Sequence, residues 1–174
     1  GVVDGAKPGG SFPLHHRWNV PDRHDVDVHT KQLDDIGGKV SAMSDARLAD
    51  ALAADAGRAV EVGIGNRTDV AAAVAASGVA VTATDVVARA VPDGVRFVRD
   101  DVTDPDPPVY ADADIVYALN CPPELQRPLV TVAREAGARW AFTTLGGDPA
   151  VVDARPKTLP HETLFIPPDP NGRI

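Results

Sequence analysis

The stretch that decides the fold is AVEVGIGNRT, residues 59–68. It begins with a short valine-containing run of the kind found in buried β-strands. Gly63 and Gly65 then let the backbone turn tightly and approach a ligand. The alanine-rich segment from Thr68 to Ser77 follows and stops at Gly78, a pattern typical of a helix. A strand, a glycine-rich turn and a helix in succession predict the first unit of a parallel sheet, with a ligand facing the helix N-terminus.

The same alternation continues on both sides of this stretch. We predict further strands at residues 79–84, 95–98, 114–119 and 139–144, and helices at residues 44–55 and 123–136. Strands that alternate with helices predict a mostly parallel sheet covered on both faces. Right-handed crossovers then predict an α/β, doubly wound sheet of five strands in the order 3-2-1-4-5.

Two segments depart from a regular alternation. Residues 164–166 lie among prolines and are a candidate for a sixth strand at an edge of the sheet. Asp85 to Val95 leaves room for about one helical turn, so the second crossover is expected to be short.

Residues 1–42 differ from the remainder of the chain. Their apolar residues follow neither a helical nor a strand period, so we expect a disordered extension ahead of a single Rossmann-like domain at residues 43–174. The only methionine, Met43, stands where the ordered pattern begins, and we hypothesise that it is the natural start. Four of the five histidines lie in this extension (His15, His16, His24 and His29), but their spacing fits no metal site and no metal is expected.

Composition excludes several classes of function. The 174 residues carry a formal charge of -8, which disfavours non-specific binding to nucleic acid or to an anionic membrane. One cysteine permits no internal disulfide, and no apolar run approaches the ~20 residues of a membrane-spanning helix. The acidic residues are nearly all aspartate, which is typical of a salt-adapted archaeal proteome. We therefore expect a cytoplasmic protein of a halophile, with no membrane partner and no clear nucleic-acid surface.

Three polar positions follow the predicted strands, where a doubly wound sheet binds its ligands. Asp85 ends the second strand, about 20 residues after the glycine-rich turn, where a ribose-binding acid is expected. The alternative interpretation is that Asp85 is a solvated aspartate at a strand end, outside the core. Asp101 follows the third strand, where a carboxylate accepts from the adenine amine or simply closes a turn. Asn120 follows the fourth strand and precedes Cys121 and two prolines.

These positions carry a resemblance. The series Glu61-x-Gly63-x-Gly65, Asp85, Asp101 and Asn120-x-Pro122-Pro123 resembles the ordered motifs of class I S-adenosylmethionine-dependent methyltransferases. The resemblance implies that Gly63 and Gly65 lie under the methionyl part of the cofactor, that Asp85 holds the ribose and that Asp101 touches adenine. An acid at the position of Glu61 is usual in that class.

Residues 43–166 are more closely similar to a small archaeal family, uncharacterised protein family 0146. The similarity includes the glycine-rich turn, Thr84-Asp85, the segment from Pro122 to Leu125 and the segment from Thr144 to Gly147. It implies a Rossmann-like fold and leaves the biochemical role open.

The chain also departs from the methyltransferase pattern. It ends about where the last two strands of that fold are expected, Cys121 separates Asn120 from the prolines, and Glu124 stands where an aromatic residue is usual. The favoured interpretation is an adenine-nucleoside site that binds S-adenosylmethionine, with methyltransferase activity possible and the substrate open.

Two alternatives remain at this point. Residues 98–105 and 111–116 resemble the NAD-binding regulatory domains of potassium transport systems, which makes NAD the alternative cofactor. The other alternative is a scaffold domain that binds no nucleotide.

Other chemistries lack their motifs. The chain contains no P-loop lysine and no G-x-S-x-G sequence. Cys121 is expected to be a small buried residue rather than a nucleophile. Four scattered arginines near the ligand edge are expected to be solvated (Arg67, Arg89, Arg96 and Arg99).

Overall fold

The computed structural model describes residues 23–170, with side chains from residue 36 onward. The chain divides into two units, Gly1–Gly37 and Gly38–Ile174. In the first unit, the described residues are helical from residue 23 onward. The helices are α1 (Arg23–Ala53), α2 (Asp69–Ala76), α3 (Pro107–Tyr110) and α4 (Pro123–Glu135). The strands are β1 (Arg58–Val62), β2 (Ala80–Asp85), β3 (Val95–Arg99), β4 (Ile115–Ala118), β5 (Arg139–Phe142), β6 (Arg155–Thr158) and β7 (Thr163–Ile166).

The second unit is built on one sheet of seven strands in the order β3-β2-β1-β4-β5-β7-β6. The first five strands are parallel, which confirms the predicted order 3-2-1-4-5. Strand β7 runs antiparallel to both β5 and β6. The strand order reverses between β1 and β4, so the carboxyl ends of these two strands form the switch point of the sheet.

The end of the sheet differs from the prediction in two ways. The sixth predicted strand exists as β7, but it lies between β5 and β6 rather than at an edge. Strand β6 was not predicted, and the chain therefore contains the two last strands that its length was expected to omit. All four residues of β6, Arg-Pro-Lys-Thr, are exposed, so the sequence carries no apolar alternation to reveal the strand.

Helix α1 also starts earlier than predicted. The helix was predicted to begin at residue 44, but it begins at Arg23. No proline lies between Pro21 and Pro92 to break the helix, and it continues through Gly37 and Gly38 although glycine disfavours a helix interior. The native start at Met43 stays a prediction. Disorder was expected over residues 1–42; residues 23–42 of that segment are helical, and residues 1–22 lie outside the described residues.

The crossovers on either side of β3 are reduced. Residues 86–94, all of which the structure describes, contain no helix, although about one turn was expected. The next crossover contains only the single turn α3. The strand ends beside Asp85 are consequently bordered by loops.

Each face of the sheet packs against its own helices. The face that carries Ala59 of β1 packs on α1 and α2 through Leu48, Leu52, Val70 and Val74. The opposite face, which carries Val60, packs on α3 and α4. In this second layer, Phe142 stacks on Trp140 and on Phe165, with ring centroids 5.9 and 5.3 Å apart, and so ties β5 to β7. Alternation of the two sets along each strand produces the three-layer architecture.

We expect Phe142→Ala to lower the free energy of unfolding by about 3–5 kcal/mol, because it empties a fully buried site between β5, β7 and α4. Leu145→Ala, three residues along and 64% exposed, is the matched control and should stay within about 0.5 kcal/mol of the parent. Urea denaturation measures both values. Equal losses in the two variants would contradict the assigned core.

Candidate functional site

The glycine-rich turn lies at the carboxyl end of β1. Gly63 and Gly65 adopt φ values of +66° and +55°, which disfavour a side chain. Ile64 between them is buried, and its amide donates to the Thr84 carbonyl at 3.0 Å. No atom lies within 4 Å of the position that a Cβ at Gly63 would take. The turn is therefore fixed to β2 on one side and open on the other.

Asp85, at the end of β2, fixes the same turn through its carboxylate. Oδ2 accepts from the Gly65 amide at 2.9 Å, and Oδ1 accepts from the Val87 amide at 3.2 Å. Burial raises the pKa of Asp85, but these two amides and the Arg89 guanidinium outweigh it, so the pKa lies below its usual value. The residue is 7% exposed and belongs to the packed interior, contrary to the expectation of a carboxylate outside the core.

Arg89 lies directly on this carboxylate. Its Nε donates to Asp85 Oδ2 at 3.3 Å, and its NH1 group donates to the Asn66 side-chain oxygen at 3.4 Å. The arginine side chain is 33% exposed, so the ion pair has a solvent-facing side.

Glu61 on β1 is completely buried beside Tyr117 of β4. The Tyr117 hydroxyl donates to Oε2 at 2.9 Å. Oε1 is also buried and has no hydrogen-bond partner in the described part of the chain. Burial raises the pKa of Glu61 to about 8, against the smaller lowering effects of the Tyr117 hydrogen bond and the Arg67 charge. The carboxyl group is therefore mostly neutral at pH 7.

Arg67 joins the glycine-rich turn to two distant elements. It donates to both carboxylate oxygens of Glu162, at 3.0 and 3.2 Å, and to Asp45 of α1 at 3.0 Å. The hydrogen bond to Glu162 is the largest of the influences that raise the pKa of this arginine. The pairing holds the β6–β7 turn against the carboxyl edge of the sheet.

Asp101 lies in the turn after β3. The neighbouring Asp100 amide donates to the Asp85 carbonyl at 3.1 Å, which places this turn next to the end of β2. Asp101 Oδ1 accepts from both the amide and the hydroxyl of Thr103, and these bonds lower the pKa of the exposed carboxyl. Closure of the turn accounts for the geometry of Asp101.

Asn120 follows β4 in a left-handed conformation, with φ +52°. Its amide donates to the buried Thr143 hydroxyl at 2.9 Å, and the Cys121 amide donates to the Thr143 carbonyl at 2.7 Å. Asparagine tolerates this conformation better than most residues do. Its exposed side chain is thereby held at the switch point. Burial raises the pKa of Cys121 to about 12, which removes it as a thiolate nucleophile at neutral pH.

A cleft of about 670 Å³ lies at the same edge of the sheet. It lies between the loop that follows β5, with Thr144 and Asp148, and the β6–β7 turn, with His161 and Glu162. Thr144 follows the residue that holds Asn120, and Glu162 is held by Arg67. The cleft is therefore linked to the glycine-rich turn through Glu162 and Arg67, and to the loop after β4 through the strand end that carries Thr143.

The structure brings together most of the predicted site residues. Glu61 and Asp85 lie in the last two residues of β1 and β2, Gly63, Gly65 and Asn120 follow the ends of β1 and β4, and Asp101 lies in the turn after β3. Sequence reasoning missed the roles of Arg67 and Arg89, because arginine in a loop gives no signal of its ion-pair partner. The sequence also did not indicate that Tyr117, at the paired position of β4, is the hydrogen-bond partner of Glu61.

Residues 43–166 match the sequence profile described as Uncharacterised protein family (UPF0146). The chain belongs to this family. A UPF0146 protein of Halobacterium salinarum is 59% identical over 113 residues, which are 64% of this chain and 88% of that protein. A UPF0146 protein of Archaeoglobus fulgidus is 48% identical over 92 residues, covering 53% of this chain and 71% of that protein.

Two solved structures show the fold of this UPF0146 chain independently of close sequence similarity. An RNA methyltransferase of Salinibacter ruber in complex with S-adenosyl-L-homocysteine superposes with a TM-score of 0.51 at 18% identity, over 74% of this chain and 90% of that one. Magnesium protoporphyrin IX methyltransferase of Synechocystis with bound S-adenosylmethionine gives a TM-score of 0.50 at 13% identity, over 75% of this chain and 78% of that one. The chain thus has a Rossmann-like, methyltransferase-like fold.

Metal sites and membrane-spanning helices are two further features to consider in the described residues. No group of three or more His, Cys, Asp or Glu side chains is arranged to hold a metal ion in that part of the chain. No helix within residues 23–170 combines the length and apolarity needed to cross a membrane.

The neutral Glu61 predicts an unusual pH dependence of stability. Its pKa is about 8 in the folded chain against 4.5 ordinarily, so between these pH values the folded state keeps a proton that the unfolded chain has lost. The contribution of this group to the free energy of unfolding should therefore fall as pH rises, by up to about 1.4 kcal/mol per pH unit, and level off above the folded pKa.

Glu61→Gln keeps the shape of the side chain and cannot titrate. The difference in unfolding free energy between Glu61→Gln and the parent should therefore grow in favour of the variant from pH 5 to about pH 8, as urea denaturation at several pH values would measure. Parallel profiles for the two proteins would show that Glu61 is ionised in the folded chain.

Proposed function

We propose that this chain binds S-adenosylmethionine at the carboxyl ends of β1, β2 and β4 and uses it as a methyl donor. The observation that carries the proposal is the hydrogen bond from the Gly65 amide to the Asp85 carboxylate. This bond joins a glycine-rich turn to the acid at the end of the next strand, beside the switch point where open α/β sheets bind their ligands.

The residues present fit such a cofactor. The space beside Gly63 is free of side chains and would receive the methionyl part. Asp85 would accept hydrogen bonds from the ribose hydroxyls. Asp101, in the adjoining turn, would lie next to the adenine. The buried Oε1 of Glu61 lacks a partner among the described residues. Because Oε2 accepts from Tyr117, the proton of the neutral carboxyl belongs on Oε1, and an acceptor on the ligand or an ordered water would satisfy it.

The chain's own residues would mainly align the reactants. The cofactor supplies an electrophilic methyl group, and transfer of that group requires close approach and in-line orientation more than covalent assistance. Asn120, held by Thr143, would contact the bound cofactor on the side that faces the acceptor. The cleft beside Thr144 and Glu162 provides room for the remainder of the acceptor.

The solved structures support this proposal by what they contain. The two neighbours with matching folds are methyltransferases, one in complex with S-adenosyl-L-homocysteine and one with S-adenosylmethionine. Sequence identities of 18% and 13% support a shared fold only. The proposal that the present chain binds the cofactor therefore rests on the geometry of its own site.

Thermal unfolding with added cofactors tests the proposal. At 100 times its dissociation constant, a ligand should stabilise the chain by about 2.7 kcal/mol, which corresponds to a rise in Tm of about 5–10 °C for a domain of this size. We expect this rise with S-adenosylmethionine and S-adenosylhomocysteine in high salt, and none with NAD. A rise with NAD alone would support the nicotinamide alternative, and no rise with any of them would support a scaffold role.

Substitutions at Asn120 separate its backbone role from its contact with ligand. Asn120→Ala places alanine at φ +52° and should cost about 1–2 kcal/mol of stability, whereas Asn120→Gly accepts that conformation and should melt near the parent. If the amide side chain contacts the bound ligand, calorimetry should show the same loss of S-adenosylhomocysteine affinity in both variants. Unchanged affinity in Asn120→Gly would remove Asn120 from the site.

A further inference from the structure

The Asp85 carboxylate, which is proposed to bind the ribose, already accepts three hydrogen bonds from the chain itself. A carboxylate has about four acceptor positions. Three donors occupy Asp85: the Gly65 amide and Arg89 Nε on Oδ2, and the Val87 amide on Oδ1. About one position, on Oδ1, is left. A ribose that offers both of its hydroxyl groups needs two.

Of the three donors, Arg89 is the one that can leave. The Gly65 and Val87 amides belong to backbone on either side of Asp85 and hold the two turns in place. Arg89 instead reaches the carboxylate through a long side chain that is 33% exposed, and both of its hydrogen bonds, at 3.3 and 3.4 Å, are long. It also lies in the crossover of residues 86–94, which has no helix to restrain it.

We propose that Arg89 is an internal competitor for the ribose position: it occupies Asp85 Oδ2 until a ligand with two vicinal hydroxyl groups displaces it. This inference rests on the proposed cofactor site and adds a specificity-determining residue to it. A ligand with both hydroxyls gains two hydrogen bonds in exchange for one ion pair. A ligand with a single hydroxyl uses the remaining position on Oδ1 and leaves Arg89 in place.

The two classes of ligand should therefore respond differently to the loss of Arg89. Removal of the competitor should tighten binding of a vicinal diol by about two- to fivefold, the range expected of a partly exposed ion pair. It should leave binding of a deoxyribose ligand almost unchanged. Salt should act in the same direction, because it screens the exposed side of the ion pair and weakens the competitor.

Calorimetric titration with S-adenosylhomocysteine and its 2′-deoxyribose analogue tests the proposal on three full-length proteins: the parent, Arg89→Gln and Arg96→Gln. Arg96 is an exposed arginine of β3 that takes no part in the contacts of Asp85, so its variant controls for the loss of one positive charge. We expect Arg89→Gln alone to bind S-adenosylhomocysteine about two- to fivefold more tightly, with the deoxy analogue unaffected. In the parent, added KCl should tighten S-adenosylhomocysteine binding more than it does in Arg89→Gln.

Three results would overturn the proposal, and they are distinguishable. Equal tightening of both ligands would indicate a general charge effect, and weaker binding of S-adenosylhomocysteine by Arg89→Gln would make Arg89 a direct ligand contact. Failure of the parent and of both variants to bind S-adenosylhomocysteine would instead refute the cofactor site itself.

Discussion

The hydrogen bond between the Gly65 amide and the Asp85 carboxylate is the contact on which the carboxyl edge of the sheet depends. Through the same residue, Oδ1 fixes the Val87 amide after β2, and the carbonyl accepts from the Asp100 amide after β3. One aspartate therefore holds the turns that follow three consecutive strands. Because an ionised carboxylate makes stronger hydrogen bonds than a neutral acceptor, the contacts of the Asp85 carboxylate with the Gly65 and Val87 amides are the stronger ones in this set.

Carboxylates near this edge are buried in two contrasting ways. Glu61 is enclosed with only a phenol as partner, and its burial favours the neutral form. Asp45 and Glu162 keep a full countercharge in Arg67, whose planar guanidinium contacts both. The first arrangement leaves Oε1 of Glu61 buried without a hydrogen-bond partner among the described residues. The second connects α1 and the β6–β7 turn to the glycine-rich turn through Arg67. The two arrangements are adjacent, since the Arg67 charge also lowers the pKa of Glu61 slightly.

The sequence predicted those parts of the structure that depend on local pattern. Five strands and their order followed from apolar runs and crossover handedness, and Gly63, Gly65 and Asp85 followed from their spacing. Strand β6 was missed because its four exposed residues belong to the sheet only through pairing with β7. Arg67 and Arg89 were missed for a related reason. The partners of Arg67, Asp45 and Glu162, lie 22 and 95 residues away in sequence, and nothing local to the arginine reveals them. Arg89 lies only four residues from Asp85, but outside a helix that spacing does not predict a contact between the two side chains.

The composition of β6 has a consequence for how this molecule meets others. An edge strand with free backbone donors and acceptors invites pairing with a strand of another chain. In β6, Pro156 cannot offer an N–H group, and Lys157 beside it carries a charge that an added apolar strand would have to desolvate. Pro156 and Lys157 thus have two effects: they leave β6 without the apolar alternation that would predict a strand, and they disfavour intermolecular β-pairing at this edge. Added salt screens the charge of Lys157, whereas the missing N–H group of Pro156 belongs to the covalent structure and acts at any ionic strength.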